Sequence, residues 1–321
     1  MHMSLKQSIE RSALPDALKK NLSSFVDNYL RATAYSNEDV TPILVQYLAL
    51  VQQETAHPHS FSHFHPAERH PFDFYEFTLS LVRPLLDMAH STVRGKENLA
   101  AMWRSLQRKE NVILLANHQT EVDPQIISLL ISPEYSELAT SLIYVAGHRV
   151  TQDPIAIPFS RGTNLLCIYS KKYTDNPPEE KGAKLLHNSK TMSKLQELLD
   201  AGGSCIFVAP SGGRDRNDAT GHPQVADFDP QSVEMFHLLA KKATHPTSLH
   251  LLALSTMDLL PPPKTIHIEL GEKRLVAYTP AHLVFGPPLD MESIGASADK
   301  HERRRERSEW MTKEISSMLN Q

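Results

Sequence analysis

The run Val112-Ile-Leu-Leu-Ala-Asn-His-Gln-Thr-Glu-Val-Asp-Pro124 joins an apolar segment to a polar turn and to the start of a helix. Its apolar part, 112–116, is typical of a buried β-strand. Asp123 before Pro124 is typical of an N-cap followed by the first helical position, which predicts a helix over 124–131. On one continuous helix, positions five apart point about 140° away from each other. His118 and Asp123 therefore approach each other only if the chain turns between them.

A histidine and an aspartate at the end of a strand form a candidate acid–base pair. The neutral imidazole of His118 can take a proton from a hydroxyl as it attacks a carbonyl group. The Asp123 carboxylate, on the other ring nitrogen, would fix the tautomer and stabilise the imidazolium. The residues alone leave a second interpretation open, in which Asp123 is an ordinary N-cap. The same Asp-Pro helix start recurs at Asp229-Pro230 without implying chemistry.

A second candidate site follows the apolar run Ser204-Cys-Ile-Phe-Val-Ala209, in the segment Pro210-Ser-Gly-Gly-Arg-Asp-Arg216. Two glycines after a strand let the backbone approach a ligand, and their N–H groups can point at an anion. Arg214 and Arg216 offer planar, permanently charged groups for phosphate oxygens. A surface Arg-Asp-Arg run that pairs internally is the alternative. The position directly after a strand favours an anion site.

From residue 111 onwards, predicted strands alternate with predicted helices. The alternation predicts an α/β fold, a mostly parallel mixed sheet flanked by helices, with function on the loops at the carboxyl ends of the strands. His118 and the loop 211–216 both lie at such ends, so we expect them to converge. The predicted strands are 112–116, 142–146, 165–169, 205–209, 249–254, 266–270 and 274–278, and the predicted helices are 124–131, 182–201 and 230–243.

The first fifty residues carry helical patterns only. Apolar residues recur at three- and four-residue steps from Leu18 to Leu30, and Thr41-Pro42 is expected to open a further helix. Short helices with one apolar face need a partner, so we expect a small helical bundle domain at 1–75 and an α/β catalytic domain at 76–321. The basic run 300–307 begins a predicted C-terminal helix. That helix is either docked by its apolar face and otherwise solvated, or a contact surface for an acidic carrier protein or anionic lipid.

Composition excludes several classes of protein. With 321 residues, 40% hydrophobic and 22% charged, the chain has the profile of an ordinary globular protein. The net charge of −4 argues against nucleic-acid binding. No apolar run approaches the roughly 18–20 residues of a membrane span, and the N-terminus lacks the pattern of a signal or transit peptide, so a soluble protein is expected. Cys167 and Cys205 lie in apolar runs and are expected to be buried, in a reducing compartment.

A segment rich in histidine and proline lies between the helical part and the α/β part. Five histidines occur from His57 to His70, with prolines among them and no cysteine nearby. His63 and His65 have the spacing of a strand. A solvated linker is the favoured interpretation, and no metal site is predicted.

Five stretches resemble, in order and in spacing, the soluble glycerol-3-phosphate acyltransferases of plastids and related bacteria. They are ANHQTEVDPQIISLLI, YVAGHRVTQDP, LLCIYSKKY, IFVAPSGGRDR and LLALSTMDLLPPP, and HPFDFYEFTLSLVRPLLD extends the likeness upstream. The resemblance runs from about Pro71 to about Val284. The element His-x-x-x-x-Asp alone marks the wider superfamily of glycerolipid acyltransferases, whereas NHQTEVDP together with APSGGRDR is much more specific to the soluble branch.

The resemblance implies an activity and a set of site residues. That family transfers a fatty acyl group from a thioester, typically acyl-[acyl carrier protein], to the sn-1 hydroxyl of glycerol 3-phosphate, giving lysophosphatidate without a metal or another cofactor. It makes His118 the general base and Asp123 its orienting partner. It makes Lys172, Arg214 and Arg216 the phosphate-binding residues. Further candidates for the phosphate are Lys171, Tyr173, Ser211, Gly212 and Gly213, and Tyr173 stands where the plastid enzymes usually have histidine.

The donor and the reaction class have alternatives. Acyl-coenzyme A is the alternative donor. A lysophosphatidate acyltransferase, or a non-catalytic protein that binds phosphorylated metabolites or lipid headgroups, is the alternative function. The expected partners are glycerol 3-phosphate and an acyl carrier protein, with transient contact to a membrane surface and no nucleic acid. The expected location is the bacterial cytoplasm, or the plastid stroma if a transit peptide has been removed.

Overall fold

The computed structural model describes residues 5–218, 220–263 and 273–320, without the side chains of Lys171 and Lys172. The strands in these ranges are β1 (Phe64–His65), β2 (Thr92–Arg94), β3 (Asn111–Ala116), β4 (Ile143–Gly147), β5 (Asn164–Ile168), β6 (Cys205–Val208), β7 (Arg216–Asn217), β8 (Pro223–Gln224), β9 (Thr247–Ser255) and β10 (His282–Pro288). Within the same ranges, eight of them form one sheet in the order β1-β5-β4-β6-β3-β9-β10-β2, while β7 and β8 pair separately.

Helices surround the sheet. They are α1 (Leu5–Arg11), α2 (Asp16–Ala32), α3 (Asn37–Ala56), α4 (Phe74–Val82), α5 (Lys96–Gln107), α6 (Asp123–Ser141), α7 (Ile157–Arg161), α8 (Lys171–Thr174), α9 (Lys181–Ala201), α10 (Pro230–Lys242) and α11 (Lys300–Leu319). Across the described ranges, no helix combines the length and the apolar character that crossing a bilayer requires.

The centre of the sheet is parallel. Strands β5, β4, β6, β3 and β9 run in one direction, with Val112 of β3 opposite Cys205 of β6 and Asn111 opposite Thr247 of β9. Strands β1 and β10 run antiparallel to their neighbours β5 and β9, and β2 lies parallel to β10 at the edge. The loops that follow β3, β6 and β9 therefore leave the sheet at the same edge, as the sequence predicted.

The two faces of β3 explain why the chain needs helices on both sides of the sheet. All six residues of β3 are buried. Val112 and Leu114 pack into a cluster with residues of α5 and α6, while Ile113 and Leu115 pack into a second cluster with residues of α9, α10 and α11. A strand that is apolar at every position is stable only between two covering layers. The α/β fold with a mostly parallel mixed sheet is thus confirmed.

Both cysteines lie in this interior. Cys167 and Cys205 are buried as free thiols, which confirms the expected burial. Burial raises the pKa of each thiol to about 12. Both side chains are therefore neutral packing groups at physiological pH.

The N-terminal helices share a buried cluster with the rest of the molecule. Residues of α1, α2 and α3 pack there with residues of α4, with Val122 before α6, and with Val276 near the C-terminal part. The Tyr29 hydroxyl donates to the Leu81 carbonyl over 2.7 Å, and the Tyr47 hydroxyl donates to the Ile155 carbonyl over 2.9 Å. The division at residues 75 and 76 stays a prediction.

Four sequence-based assignments need correction. The strand predicted at 274–278 was wrong, because this segment does not join the sheet. The Ala277 N–H donates instead to the Leu259 carbonyl over 3.0 Å. The second N-terminal helix begins at Asn37 after the capping residue Ser36, and Pro42 lies inside it. Strands β1, β2 and β10 were missed. The helix predicted over 124–131 was too short, because α6 continues to Ser141 across a kink at Tyr135. The predicted strand 266–270 lies outside the described residues.

The C-terminal helix α11 docks by its apolar face, as one of the two alternatives predicted. Met311, Ile315 and Met318 are buried, whereas Trp310 is exposed. Arg307, from the basic run, is also buried and donates to the Ile294 carbonyl over 3.0 Å. Part of the positive charge of this run therefore serves packing.

Candidate active site

His118 and Asp123 form a hydrogen-bonded pair at the carboxyl end of β3. His118 Nδ1 donates to Asp123 Oδ2 over 2.8 Å. The carboxylate is 1% exposed, whereas the imidazole is 32% exposed, so the ring reaches the surface while its partner is enclosed. With the proton on Nδ1, Nε2 keeps the lone pair that a general base needs. The chain turns between the two residues, as their spacing required.

The Asp123 carboxylate is fixed by donors from two loops. Oδ2 also accepts from the backbone N–H groups of Gln119 at 2.9 Å and Thr120 at 3.2 Å. Oδ1 accepts from the Thr256 hydroxyl at 2.6 Å. These contacts, together with His118, hold both oxygens in place. A carboxylate fixed in this way can orient an imidazole and stabilise its protonated form.

Asp123 does not cap α6 in the way the sequence indicated. It is the first residue of the helix, which Val122 precedes, and Pro124 follows within the first turn. The carboxylate bonds N–H groups that come before it in the chain, because the turn of the His118 loop points them at it. The N-cap prediction was therefore wrong by one residue, and the carboxylate serves the loop.

Two buried amides join the His118 loop to the end of β9. The Asn117 side chain donates to the Leu254 carbonyl over 2.9 Å and accepts from the Leu254 N–H at 2.8 Å. Gln119 Oε1 accepts from the N–H groups of Thr256 at 2.6 Å and Met257 at 2.9 Å. These bonds continue the pairing of β3 and β9 beyond their last ladder residues. The loop is thus held like part of the sheet.

The loop after β6 meets the His118 loop. The Asp215 N–H donates to the His118 carbonyl over 2.6 Å. The Asp215 carboxylate is buried and accepts from the side chains of Asn117 at 2.7 Å and Gln119 at 3.2 Å, and from the Ala226 N–H at 2.9 Å. Burial raises the pKa of Asp215, and the neighbouring charge of Asp123 adds to the increase. The two predicted site segments therefore converge, and Asp215 fastens one to the other.

The arginines of this loop lie close to the His118 loop as well. Arg214 is half-buried, with Nη1 at 3.7 Å from Glu121 Oε1. Arg216 is also half-buried, and its Nη1 donates to the Arg214 carbonyl over 3.0 Å. The structure thus places two guanidinium groups on the loop that touches His118.

The turn before the arginines is open to solvent. Gly212 and Gly213 are exposed, and a Cβ on either would meet no atom within 4 Å. Gly212 has a φ of +64°, a left-handed conformation that favours glycine. The Ser211 hydroxyl donates to the Gly213 carbonyl over 2.9 Å, which closes the turn. The glycines leave a space that a ligand can enter.

The remaining predicted phosphate-binding residues lie on the short helix α8. The side chains of Lys171 and Lys172 lie outside the described part of the structure. The Tyr173 ring is half-buried and packs edge-to-face against His148, with 4.7 Å between the ring centroids. The roles of these three residues stay predictions.

Sequence reasoning missed a buried cation beside the site. Arg274 donates from Nε to Glu121 Oε2 over 2.7 Å and from Nη2 to Asp153 Oδ2 over 2.9 Å. Burial opposes its charge, but the carboxylates of Glu121 and Asp153 outweigh that effect and raise the pKa of Arg274. Glu121 lies between His118 and Asp123 in the sequence and also faces Arg214. An arginine in the apolar run Arg-Leu-Val-Ala-Tyr278 was the available signal.

An apolar cavity of about 50 Å³ lies next to the loop that carries His118. Apolar side chains from α2, α3, α4 and α7 line it, together with Leu259, Leu260 and Val276. Glu121, Val122 and Arg274 form the part of its wall next to the site. The cavity is smaller than the roughly 300–1,000 Å³ of usual ligand pockets, so a long apolar ligand would fit only after the lining side chains move apart.

An α/β fold with a His–Asp pair at a strand end is consistent with an acyltransferase, and the comparison with protein families agrees. The family described as "Acyltransferase" matches residues 90–247, which include the His118 pair and the arginine loop.

The relatives in sequence are more particular. Glycerol-3-phosphate acyltransferase ATS12, chloroplastic, of Cucurbita moschata is 37% identical over 308 residues, which cover 94% of this chain and 67% of the relative. The chloroplastic glycerol-3-phosphate acyltransferase of Arabidopsis thaliana is 32% identical over the same shares. This chain belongs to the glycerol-3-phosphate acyltransferase family, as the resemblance of its motifs predicted. A crystal structure of a 1-acyl-sn-glycerophosphate acyltransferase from Thermotoga maritima is a distant likeness, with a TM-score of 0.43, 15% identity, and coverage of 94% of this chain and 97% of that one.

Proposed function

We propose that this chain transfers a fatty acyl group from an acyl thioester to the sn-1 hydroxyl of glycerol 3-phosphate, giving lysophosphatidate. The observation that carries the proposal is the pair of His118 and Asp123, with a proton on Nδ1 and a fixed carboxylate. Relatives named glycerol-3-phosphate acyltransferase support the proposal, since their match covers 94% of the chain. In this proposal the apolar cavity receives the acyl chain of the donor, and the arginine loop receives the phosphate of the acceptor.

His118 acts as the general base in this scheme. Its Nε2 takes the proton of the acceptor hydroxyl while the oxygen attacks the thioester carbonyl, which gives a tetrahedral oxyanion. The C–S bond then breaks, and the imidazolium returns the proton to the leaving thiolate. Asp123 stabilises the imidazolium meanwhile. General base catalysis of this kind contributes typically about 10²–10⁴-fold to the rate.

The acceptor is held by its phosphate. Arg214 and Arg216 supply charge-assisted hydrogen bonds, and Lys172 supplies a further charge. The Arg214 carbonyl and the Ser211–Gly213 turn fix where these groups stand. We assign the backbone N–H that meets the phosphate or the oxyanion to Gly213, because the Gly212 N–H already donates to the Ala209 carbonyl over 3.1 Å. Binding the phosphate orients one hydroxyl toward His118, and orientation of this kind lowers a barrier by several kcal/mol.

In this proposal the acyl chain enters at the apolar cavity, whose lining side chains move apart to receive it. Val122 lies in the cavity wall and precedes Asp123 in the sequence, and we assign the carbonyl end of the chain to this side of the cavity. The thioester donor in this proposal is acyl-[acyl carrier protein], with acyl-coenzyme A as the slower donor. The relatives are chloroplastic, and we place the reaction in the plastid stroma or in the bacterial cytoplasm.

One assay tests the proposal. The purified chain is given glycerol 3-phosphate with either acyl-[acyl carrier protein] or acyl-coenzyme A. His118→Ala should lower kcat by at least about 10²-fold and leave the binding of glycerol 3-phosphate unchanged, because the imidazole acts on a proton. His90→Ala is the matched control, since His90 also donates from Nδ1 to an aspartate, Asp87, at 2.7 Å, but is exposed.

Other results of this assay would assign a different function or a different donor to the chain. Turnover with lysophosphatidate as acceptor and none with glycerol 3-phosphate would assign the chain to the second acyltransferase reaction. Binding of glycerol 3-phosphate without turnover would leave a binding protein. Equal kcat/KM for the two donors would remove the carrier-protein assignment and keep the acyl thioester class.

A further inference from the structure

His59, His65 and Glu68 bring two imidazole nitrogens and a carboxylate oxygen together. Their candidate ligand atoms all lie within 4.8 Å of one another. Glu68 Oε1 is 3.5 Å from His59 Nε2 and 4.0 Å from His65 Nε2. In a tetrahedral zinc site with bonds of about 2.0–2.1 Å, ligand atoms lie about 3.3 Å apart. The distances between these ligand atoms would therefore have to shorten by roughly 1.5 Å or less for the three side chains to coordinate one ion.

The backbone around these residues is tied down from three sides. His65 belongs to β1 and pairs with β5. The Glu68 N–H donates to the Arg161 carbonyl over 2.8 Å, and the His59 N–H donates to Glu54 Oε2 over 2.9 Å. A fixed backbone leaves little to be ordered before an ion binds, which favours binding. His65 Nε2 lies 3.3 Å from the Arg161 carbonyl and exchanges that hydrogen bond for the ion.

The two imidazoles are also held by packing. The Phe61 ring meets both edge-to-face, with centroids at 4.6 Å from His59 and 4.7 Å from His65. The His59 and Glu68 side chains are 26% and 23% exposed, and that of His65 is 8% exposed. An ion can therefore enter from the side of His59, while His65 forms the floor of the site.

The charges beside the site permit a cation. Arg161 pairs with Glu68 and, at 2.6 Å, with Glu54 Oε1. Two carboxylates against one guanidinium leave one net negative charge, which attracts a divalent ion. The guanidinium donates from Nε to Glu68 Oε1 over 3.0 Å, so it also orients the carboxylate as partners outside a metal's own ligands do.

We propose that His59, His65 and Glu68 bind a zinc ion, with water in the fourth position. Imidazole nitrogen and carboxylate oxygen are ligands that zinc accepts in tetrahedral geometry. The ion would join the segment after α3, the strand β1 and the segment after β1, which Glu68 connects to Arg161 at the end of α7. It would thereby stabilise the attachment of the N-terminal helices. Sequence reasoning favoured a solvated linker here, because the spacing of the histidines gave no sign that Glu68 turns back towards two of them.

The test is a zinc titration of the untagged chain, treated with chelator and then freed of it. Calorimetry with ZnCl₂ should give one site per chain. His59→Ala and Glu68→Gln should each weaken binding at least about tenfold, because losing a ligand costs more than losing a partner outside the ligand set. His57→Ala is the matched control, since His57 is an exposed histidine of the same segment and should bind zinc like the wild type.

A second readout keeps the proposal open to refutation if one variant folds poorly. Added ZnCl₂ should raise the Tm of the wild type and of His57→Ala, and leave the Tm of a folded His59→Ala unchanged, because only binding to the native state shifts the unfolding equilibrium. His59 is half-buried and lies outside the hydrophobic core, so its truncation spares the core. A wild type without saturable binding, or a His59→Ala variant that binds and is stabilised equally, would overturn the proposal.

Discussion

The hydroxyl of Thr256 is the contact that holds Asp123 from the side opposite His118. It donates to Asp123 Oδ1 over 2.6 Å, whereas His118 meets Oδ2. Thr256 follows strand β9 and is buried. We therefore regard Thr256 as a positioning residue that acts on the imidazole through the carboxylate.

Thr256→Val should lower kcat roughly ten- to a hundredfold and leave the KM for glycerol 3-phosphate nearly unchanged. A hydrogen bond to a charged group contributes about 1.5–3 kcal/mol, and this one affects only the orientation of the base. Steady-state kinetics on the folded variant measures the split between kcat and KM. Ser255→Ala changes the exposed neighbour and should behave like the wild type. A rise in KM with an unchanged kcat would contradict the positioning role.

Arg214→Ala should raise the KM for glycerol 3-phosphate about tenfold or more, while the KM for the acyl donor stays the same. A charge-assisted contact to phosphate contributes about 1.5–3 kcal/mol. Arg108→Ala is the control, because Arg108 is an exposed arginine that precedes β3 and so lies at the opposite edge of the sheet. An unchanged acceptor KM in Arg214→Ala would move the phosphate site elsewhere.

Sequence predicted the acid–base pair because its two members lie on one loop. His118 and Asp123 are close in the chain, so their meeting needed only a turn. Thr256 and Arg274 could not be found in the same way. Their partners Asp123 and Glu121 are more than a hundred residues away, and only the order of strands in the sheet brings them together.

At the scale of elements, the site is a junction of three strand ends. Asp215, on the loop after β6, bonds Asn117 and Gln119 on the loop after β3, and both amides bond the end of β9. The Asp215 carboxylate therefore connects all three strand ends through hydrogen bonds to two buried amides. Changing it should loosen the loop without touching either substrate.

Asp215→Asn should destabilise the fold by about 1–3 kcal/mol, because an amide group would face the amide donors of Asn117 and Gln119. Burial raises the pKa of Asp215, so its stabilising contribution is fully present below its unfolded pKa and is lost as the pH rises through the folded pKa. The difference in the free energy of unfolding between the wild type and Asp215→Asn should hence become smaller as the pH rises. Urea unfolding from acidic to neutral pH measures it. Asp227→Asn, an exposed change nearby, should show no such trend.

The strands of the parallel centre were predicted within one or two residues, whereas the strands outside it were missed. Helix α6, predicted to end at 131, continues to Ser141 across a kink at Tyr135. The strands β3, β4, β5, β6 and β9 are apolar runs that end in loops, which gives a strong pattern. The edge strands β1 and β2 have two and three residues, too few for any periodicity. Strand β10 contains glycine and two prolines, which ordinarily argue against a strand.

At the scale of the whole molecule, Arg274 connects the site with the N-terminal helices. It bonds Glu121 and Asp153, and two residues later the Val276 N–H donates to the Asn28 side chain of α2. Both Arg274 and Val276 line the apolar cavity. The segment 274–276 thus forms part of the cavity wall and connects the His118 loop, through Glu121, with helix α2, through Asn28.

Arg274→Met should lower the free energy of unfolding by about 3–5 kcal/mol, because Glu121 and Asp153 would lose the buried cation that compensates them. Chemical denaturation measures the change. Lys273→Met removes the neighbouring exposed cation and should alter stability by no more than about 0.5 kcal/mol. A variant as stable as the wild type would show that these carboxylates are compensated by other groups.

The buried cluster that unites α1, α2 and α3 with Val276 has a consequence for how the protein is made. A ribosome releases the N-terminal helices first, yet the apolar faces of Tyr29 and Tyr47 are covered in part by residues synthesised more than two hundred positions later. At about 5–20 residues per second, that interval is on the order of tens of seconds. During this time the nascent helices carry uncovered apolar surface, and holding by a chaperone would be most useful to the newborn chain then.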